Sequence, residues 1–172
     1  MTHSSAIIAT MSGAALIVAL APARATINSE YISENAAQAC QLSLPSIDTQ
    51  ASPRATGFRN DGTASLFVIC GTSLPTDDSL LSGAALWLYS TSTQSVTVNC
   101  TFTSGTANSG FIYKSKSLVL PAGGDADRIY VWSGDYGGGA ITGGLNVTIT
   151  CALPPKVSIL RTESTYDLNI GA

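Results

Sequence analysis

The sequence predicts an all-β domain, an antiparallel β-sandwich for which a jelly roll is one version. Three observations predict this class: short runs of alternating apolar and polar residues, turn-forming residues about every ten positions, and no helix-length periodic segment in the mature chain. Charged residues make up only 11% of the 172 residues. The Ser, Thr, Asn and Gly that replace them favour strands and turns over surface helices.

The first 25 residues have the pattern of a signal peptide. A hydrophobic centre at Ala14–Leu20 is followed by Ala23-Arg24-Ala25, a small-x-small cleavage pattern. This apolar stretch is shorter than the ~20 residues that a membrane-spanning helix needs. We therefore predict a signal peptide at 1–25 and a single secreted β-sandwich domain at 26–172, with no membrane span after the leader is removed. The expected location is secreted or periplasmic.

The elements of the mature domain are predicted from local patterns in chain order. Residues 29–39 predict a short helix, because Ser29 is a candidate cap and Glu30 lies in the first turn. Asn60-Asp61-Gly62 predicts a hairpin, and the alternation of Tyr166–Ile170 predicts a final edge strand. The main strands are predicted at about 39–45, 55–60, 64–71, 84–91, 95–103, 110–113, 117–120, 128–133, 144–153 and 157–161.

The four cysteines predict two disulfides. Export places them in an oxidising compartment, where an even number of cysteines indicates bridges. Cys40, Cys70, Cys100 and Cys151 each lie on the apolar side of an alternating run, so all four point toward the core. The absence of a C-x-x-C motif argues against zinc. Of three possible pairings, Cys40–Cys70 with Cys100–Cys151 is favoured, because sequential pairing closes local loops.

A set of short motifs extends over about residues 35–161. The motifs are Asn35-Ala36 shortly before Cys40, Gly57-Phe58-Arg59-Asn60, Val68-Ile69-Cys70 and Cys151-Ala152-Leu153-Pro154. In this order they resemble a loose set of exported proteobacterial proteins with N-A…C, G-x-x-N, V-x-C and C-x-L-P landmarks. The resemblance implies a secreted, disulfide-stapled sandwich of unassigned role, and it carries over no catalytic residue.

The composition excludes most common catalytic machinery. The only histidine is His3 in the leader, so the mature chain lacks the imidazole of Ser-His-Asp, Cys-His and His-zinc sites. Eight Lys and Arg against eleven Asp and Glu exclude a broad basic surface for nucleic acid. The remaining candidates for catalysis are Asp125, Asp127 and Asp135, as carboxylates of a small hydrolase or as ordinary turn residues.

Two further segments have alternative interpretations. Asp125-Ala126-Asp127, beside Gly123-Gly124, is a candidate calcium site or an ordinary charged turn. Asp77-Asp78 is a second pair with the same two interpretations. No other cofactor is expected. The glycine-rich segment 134–144 presents Tyr136 and is either a binding loop or a flexible connection between strands.

The aromatic residues are the strongest functional signal. Trp87 and Tyr89 share one face of a strand, and so do Tyr130 and Trp132. If the aliphatic faces form the core, these rings line an exposed sheet that stacks on sugars; alternatively, both faces are buried. The sequence thus favours a non-enzymatic protein that either binds a ligand or has a structural role at the cell surface or in a secreted matrix. Glycan is the expected ligand, and a surface protein comes next. The alternatives are a carbohydrate-active hydrolase and a pilin-like fibre subunit.

Overall fold

The computed structural model describes residues 26–47, 50–73, 80–106, 110–124, 126–136 and 146–169. The predicted signal peptide, Asp77-Asp78, Asp125 and the glycine-rich positions from 137 to 144 lie outside the described residues. No helix of the described ranges is long and apolar enough to cross a membrane.

The described residues form eleven strands, one short α-helix and one 3-10 turn at Ser133–Tyr136. The α-helix, α1, is Ala36–Ala39. The strands are β1 (Ile27–Asn35), β2 (Cys40–Leu42), β3 (Ala51–Arg54), β4 (Gly57–Asn60), β5 (Leu66–Ser73), β6 (Leu80–Ser90), β7 (Val96–Thr106), β8 (Gly110–Leu120), β9 (Asp127–Trp132), β10 (Asn146–Leu153) and β11 (Val157–Asn169).

The strands form two antiparallel sheets packed face to face, so the predicted sandwich class is confirmed. Sheet A has the order β3-β4-β11-β6-β9, with β1 also paired to β11, and sheet B has the order β2-β5-β10-β7-β8. The core lies between the sheets because each strand presents its alternate, apolar side chains inward. Leu86 and Ile159 of sheet A and Phe102 and Ile149 of sheet B are fully buried there.

The first and last segments that the structure describes differ most from the predicted elements. Residues 27–35 form a strand rather than the start of the helix predicted at 29–39, because all nine residues pair with Arg161–Asn169 of β11. The helix is confined to Ala36–Ala39, and the Asn35 side chain caps it by accepting from the Ala37 N–H at 2.8 Å. β11 is one continuous strand between β6 and the pair β1 and β4, so its end is not the edge strand predicted at Tyr166–Ile170.

The Asn60-Asp61-Gly62 turn is not the predicted hairpin. It follows β4 of sheet A and leads to β5 of sheet B, so it carries the chain from one sheet to the other. The reason is the Asn60 side chain, which is fully buried and whose Oδ1 accepts from the Gly62 N–H at 2.8 Å. A side-chain turn of this kind redirects the backbone without strand pairing across it.

Both disulfides lie in sheet B on its core side. Cys40–Cys70 joins β2 to β5, and Cys100–Cys151 joins β7 to β10. These are the pairs favoured from the sequence. Both pairs stand directly opposite in the strand register, with Cα–Cα distances of 4.0 and 4.1 Å. Each bridge therefore links two neighbouring strands, while β5 and β10 are joined by their backbone ladder.

Candidate functional site

The outer face of sheet A carries the aromatic residues singled out in the sequence. Leu86, Leu88, Ile129 and Val131 point into the core and are at most 3% exposed. Their neighbours in β6 and β9 therefore point outward: Trp87 and Tyr89 are half-buried, while Tyr130 and Trp132 are 51% and 56% exposed. The interpretation that both strand faces are buried therefore does not hold for β9. On β6 the outer face is partly covered, since Ala85 is only 7% exposed and Trp87 is half-buried.

The strand register arranges the outward side chains in rows across β9, β6 and β11. The rows are Trp132–Gly83–Thr165, Tyr130–Ala85–Glu163 and Arg128–Trp87–Arg161. Tyr31 of β1 continues the first row beyond Thr165 and is 72% exposed. Because Gly83 and Ala85 are small, the middle of the face is lower than its aromatic sides.

This relief forms a shallow cleft, here named the outer cleft. It consists of two adjoining depressions of about 470 and 200 Å³ that share Arg128, Glu163 and Thr165. Trp87 and Tyr31 line the larger depression, and Tyr130 and Trp132 line the smaller one together with Gly83 and Ala85.

Two arginines fix the indole of Trp87. The Arg161 guanidinium lies 4.5 Å from the ring centroid and the Arg128 guanidinium 5.8 Å, both within the range of a cation–π contact. Arg161 is itself held by Glu163, with an Nε–Oε1 distance of 3.0 Å. The Trp87 Nε1–H is buried and has no acceptor among the described residues. Ring contacts, rather than a hydrogen bond, therefore hold Trp87 in place.

The 3-10 turn after β9 fixes Trp132. The indole lies against Gly134, where a Cβ atom would come within 2.5 Å of a ring carbon. Asp135 accepts from the Trp132 backbone N–H at 3.1 Å and from Lys116 Nζ of β8 at 2.6 Å. Burial acts to raise the pKa of Asp135, but the hydrogen bonds from Lys116 and Trp132 bring it below its usual value. A glycosidase general acid needs a raised pKa, so Asp135 is suited to anchoring the turn.

Tyr89 lies apart from the outer cleft, in a second depression of about 630 Å³. Its neighbours there include Arg54 and Arg59, which both bind Asp61, at 2.5 and 2.8 Å. The hydrogen bond from Arg54 lowers the pKa of Asp61 below its usual value, against an opposing effect of burial. The structure therefore separates Tyr89 from Tyr130 and Trp132, although the sequence grouped them.

Tyr136 and the aspartates also lie outside the aromatic group. Tyr136 packs against the core with its ring 5.8 Å from Lys114 Nζ, and burial, with the charge of Asp135, raises its pKa to about 12. Asp127 is exposed and accepts from the Arg128 backbone N–H at 2.7 Å. Because Asp125 lies outside the described residues, the calcium site stays a prediction. Among the residues that are described, no three His, Cys, Asp or Glu are grouped as a metal site.

The polar residues of the outer cleft were not predicted from the sequence. Arg161, Glu163 and Thr165 alternate along β11, and alternation of this kind predicts a shared face. That face could be assigned to the cleft only with the knowledge that β11 pairs with β6. Arg128 was missed for the same reason, since only the register places it opposite Trp87.

Comparisons with known proteins find only distant structural similarity. No family model and no curated protein sequence matches the chain. A GH26-CBM35 β-(1,4)-mannanase of Podospora anserina matches 78% of this chain at 13% identity and a TM-score of 0.45, and this chain spans only 27% of that chain.

Two further solved structures are similar over most of their length. One is a CBM4 structure, with 8% identity, a TM-score of 0.36, and coverage of 83% of this chain and 84% of that one. The other is TmCBM61 in complex with β-1,4-galactotriose, with 8% identity, a TM-score of 0.33, and coverage of 81% and 84%. At these identities and TM-scores the likeness assigns no function to this chain.

Proposed function

We propose that this protein is an exported, non-enzymatic glycan-binding protein and that the outer cleft is its binding surface. The observation that carries the proposal is the pair of exposed rings, Tyr130 and Trp132, beside the low floor of Gly83 and Ala85. Aromatic side chains usually bury most of their large apolar surface, so a neighbouring exposed pair is typical of a recognition site. A flat ring offers an apolar surface to the carbon-bound hydrogens of a pyranose.

The shape of the cleft favours a polymer over a small metabolite. Small-molecule pockets bury most of the ligand surface, whereas this cleft is shallow. Tyr130 and Trp132 are two residues apart on one strand, so their Cα atoms are roughly 6.6 Å apart. Two neighbouring rings on an open sheet face suit an extended chain that keeps one side in water.

Two polar groups of the cleft are already held in position by each other. Glu163 is bound to Arg161, and the Glu163 side chain is only 18% exposed. Thr165 lies beside it on the same strand face, next to Tyr31. A carboxylate, a guanidinium and a hydroxyl supply the acceptors and donors that sugar hydroxyls need. Because the Arg161–Glu163 ion pair is formed before binding, these two side chains lose less conformational entropy when the ligand binds.

Binding is favoured over hydrolysis by the contacts of the two candidate catalytic aspartates that the structure describes. Asp135 is committed to Lys116 and has a lowered pKa, and Asp127 accepts from the backbone of Arg128. Asp135 therefore lacks the raised pKa that a general acid requires. The proposed export is supported by the two disulfides, since such bridges persist in oxidising compartments.

The test is a polysaccharide screen of the exported protein, followed by Trp132→Ala. We expect at least one polysaccharide to bind and Trp132→Ala to weaken that binding about tenfold, because one stacking contact is lost. The matched control is Phe67→Ala, because Phe67 is 57% exposed, like Trp132, but lies on sheet B. The affinity of Phe67→Ala for the polysaccharide should stay within about twofold of that of the parent protein.

Two results would overturn the proposal. One is a protein that binds no polysaccharide in the screen although its thermal unfolding is cooperative. The other is an equal loss of affinity in Trp132→Ala and Phe67→Ala, because the outer cleft would then have no special role.

A further inference from the structure

We infer that the glycan is acidic and that Arg128, at the β9 end of the row Arg128–Trp87–Arg161, binds its carboxylate group. This inference rests on the proposed function, because it names the ligand class of the same cleft. It follows from the distribution of charge, from the contacts of Arg128 and from the positions of the nearest carboxylates.

The arginines are concentrated on one face of an acidic protein. The chain has a formal net charge of −3. The arginines of the described residues, Arg54, Arg59, Arg128 and Arg161, nevertheless all line depressions on the outer face of sheet A. Arginine presents a planar set of N–H donors that matches a carboxylate in bidentate geometry, which the ammonium of lysine does not. This face is therefore the part of the described chain best suited to organic anions.

Arg128 differs from the other three arginines. Arg54, Arg59 and Arg161 each form an ion pair with Asp61 or Glu163. Arg128 forms no ion pair with a described carboxylate; its guanidinium lies 5.3 Å from the Tyr130 ring centroid and 5.8 Å from that of Trp87. A guanidinium over an aromatic ring keeps its in-plane N–H donors free. Arg128 therefore stands in the cleft as an ordered donor group for an anion.

The two glutamates of the cleft do not neutralise Arg128. Glu163 is engaged with Arg161. Glu30 accepts from Asn28 Nδ2 at 2.7 Å and lies on β1. Because β11 and β6 separate β1 from β9, Glu30 is about three strand spacings, roughly 14 Å, from the strand of Arg128. Asp127, the neighbouring carboxylate on β9, accepts from the Arg128 backbone N–H at 2.7 Å and does not line the cleft. A sugar stacked on Tyr130 and Trp132 would therefore place its carboxylate near the Arg128 guanidinium.

The experiment compares acidic polysaccharides with their carboxyl-reduced forms, which keep the same sugar backbone. Polygalacturonate and alginate are each titrated into the exported protein beside the reduced polymer. We expect one acidic form to bind about tenfold more tightly than its reduced form, because a charge-assisted hydrogen bond is lost on reduction. In Arg128→Gln this acidic-to-reduced affinity ratio should fall about tenfold. Lys156→Gln removes the same charge outside the cleft and should leave the ratio within about twofold of the parent.

The failures of the inference and of the proposed function are distinguishable. Equal affinity for the acidic and reduced forms, or binding of neutral polysaccharides alone, would overturn the acidic-glycan inference and leave glycan binding intact. Equal binding of polyglutamate would also overturn it, because the cleft would then bind polyanions without a sugar. Binding of no polysaccharide of any kind would overturn both proposals. An unchanged ratio in Arg128→Gln would refute the assignment of the carboxylate to Arg128.

Discussion

The buried side chain of Asn60 is predicted to hold the two sheets together where the chain leaves sheet A. Its Nδ2 donates to the Leu153 carbonyl at the end of β10 at 2.9 Å and to the Ala64 carbonyl at 2.8 Å. Its Oδ1 accepts from the Gly62 N–H at 2.8 Å. One amide therefore satisfies three backbone groups, and one of these belongs to the opposite sheet.

The expected cost of Asn60→Ala follows from these three bonds. A typical intramolecular hydrogen bond contributes about 1 kcal/mol net, and a buried group left without a partner costs more. We expect Asn60→Ala to lower the free energy of unfolding by about 3 kcal/mol. Asn60→Asp keeps the size but turns a carboxylate toward two carbonyl oxygens. It should be at least as destabilising at pH 7 and recover partly at low pH, because burial raises the pKa of such a carboxyl group.

Urea denaturation followed by tryptophan fluorescence, with the disulfides intact, measures these differences. Asn99→Ala is the matched control, because Asn99 is exposed on sheet B and accepts from Ser117 Oγ at 2.6 Å. Asn99→Ala should lower the free energy of unfolding by less than about 0.5 kcal/mol. If Asn60→Ala proves no more costly than Asn99→Ala, the side chain does not hold the sheets together.

Two further predictions concern the 3-10 turn and its pH dependence. Asp135→Asn should lower the free energy of unfolding by about 1 kcal/mol at pH 7. Because the pKa of Asp135 is lowered in the folded protein, this difference in the free energy of unfolding should vanish as the pH falls through that pKa. Urea denaturation measures it, and an equal difference at pH 7 and pH 3 would contradict the ion pair with Lys116. Tyr136→Phe should cost no stability at pH 7, because the buried hydroxyl has no partner among the described residues. Burial raises the pKa of Tyr136 to about 12. The parent protein should therefore lose stability between about pH 10 and 12, and Tyr136→Phe should lose less. Identical alkaline unfolding curves for the two proteins would count against a buried Tyr136 hydroxyl.

The fold class was predictable because alternation is a local property of a half-buried strand. Val98, Cys100 and Phe102 alternate with polar residues, and the structure buries all three. The same pattern placed Tyr130 and Trp132 on the face opposite Ile129 and Val131. These inferences need only the direction of each side chain and no knowledge of the partner strands.

The remaining errors arose where tertiary pairing decides local structure. Ser29 and Glu30 have the pattern of a helix start, but their segment pairs along its whole length with β11. Asn60-Asp61-Gly62 has the pattern of a hairpin turn, but the amide of Asn60 reaches Leu153 in the other sheet. The row of Arg128 and Arg161 around Trp87 depends on the order β9-β6-β11, which one sequence does not contain.

Acrylamide quenching of Trp132 fluorescence tests most directly whether a glycan occupies the outer cleft. The chain has two tryptophans, and both line this cleft. In Trp87→Phe the remaining signal comes from Trp132, which is 56% exposed and so has much solvent contact to lose. A saturating amount of a polysaccharide bound in the screen should lower the quenching constant of Trp132. Undiminished quenching at saturation would show that the ligand binds elsewhere and would contradict the proposed function of the cleft.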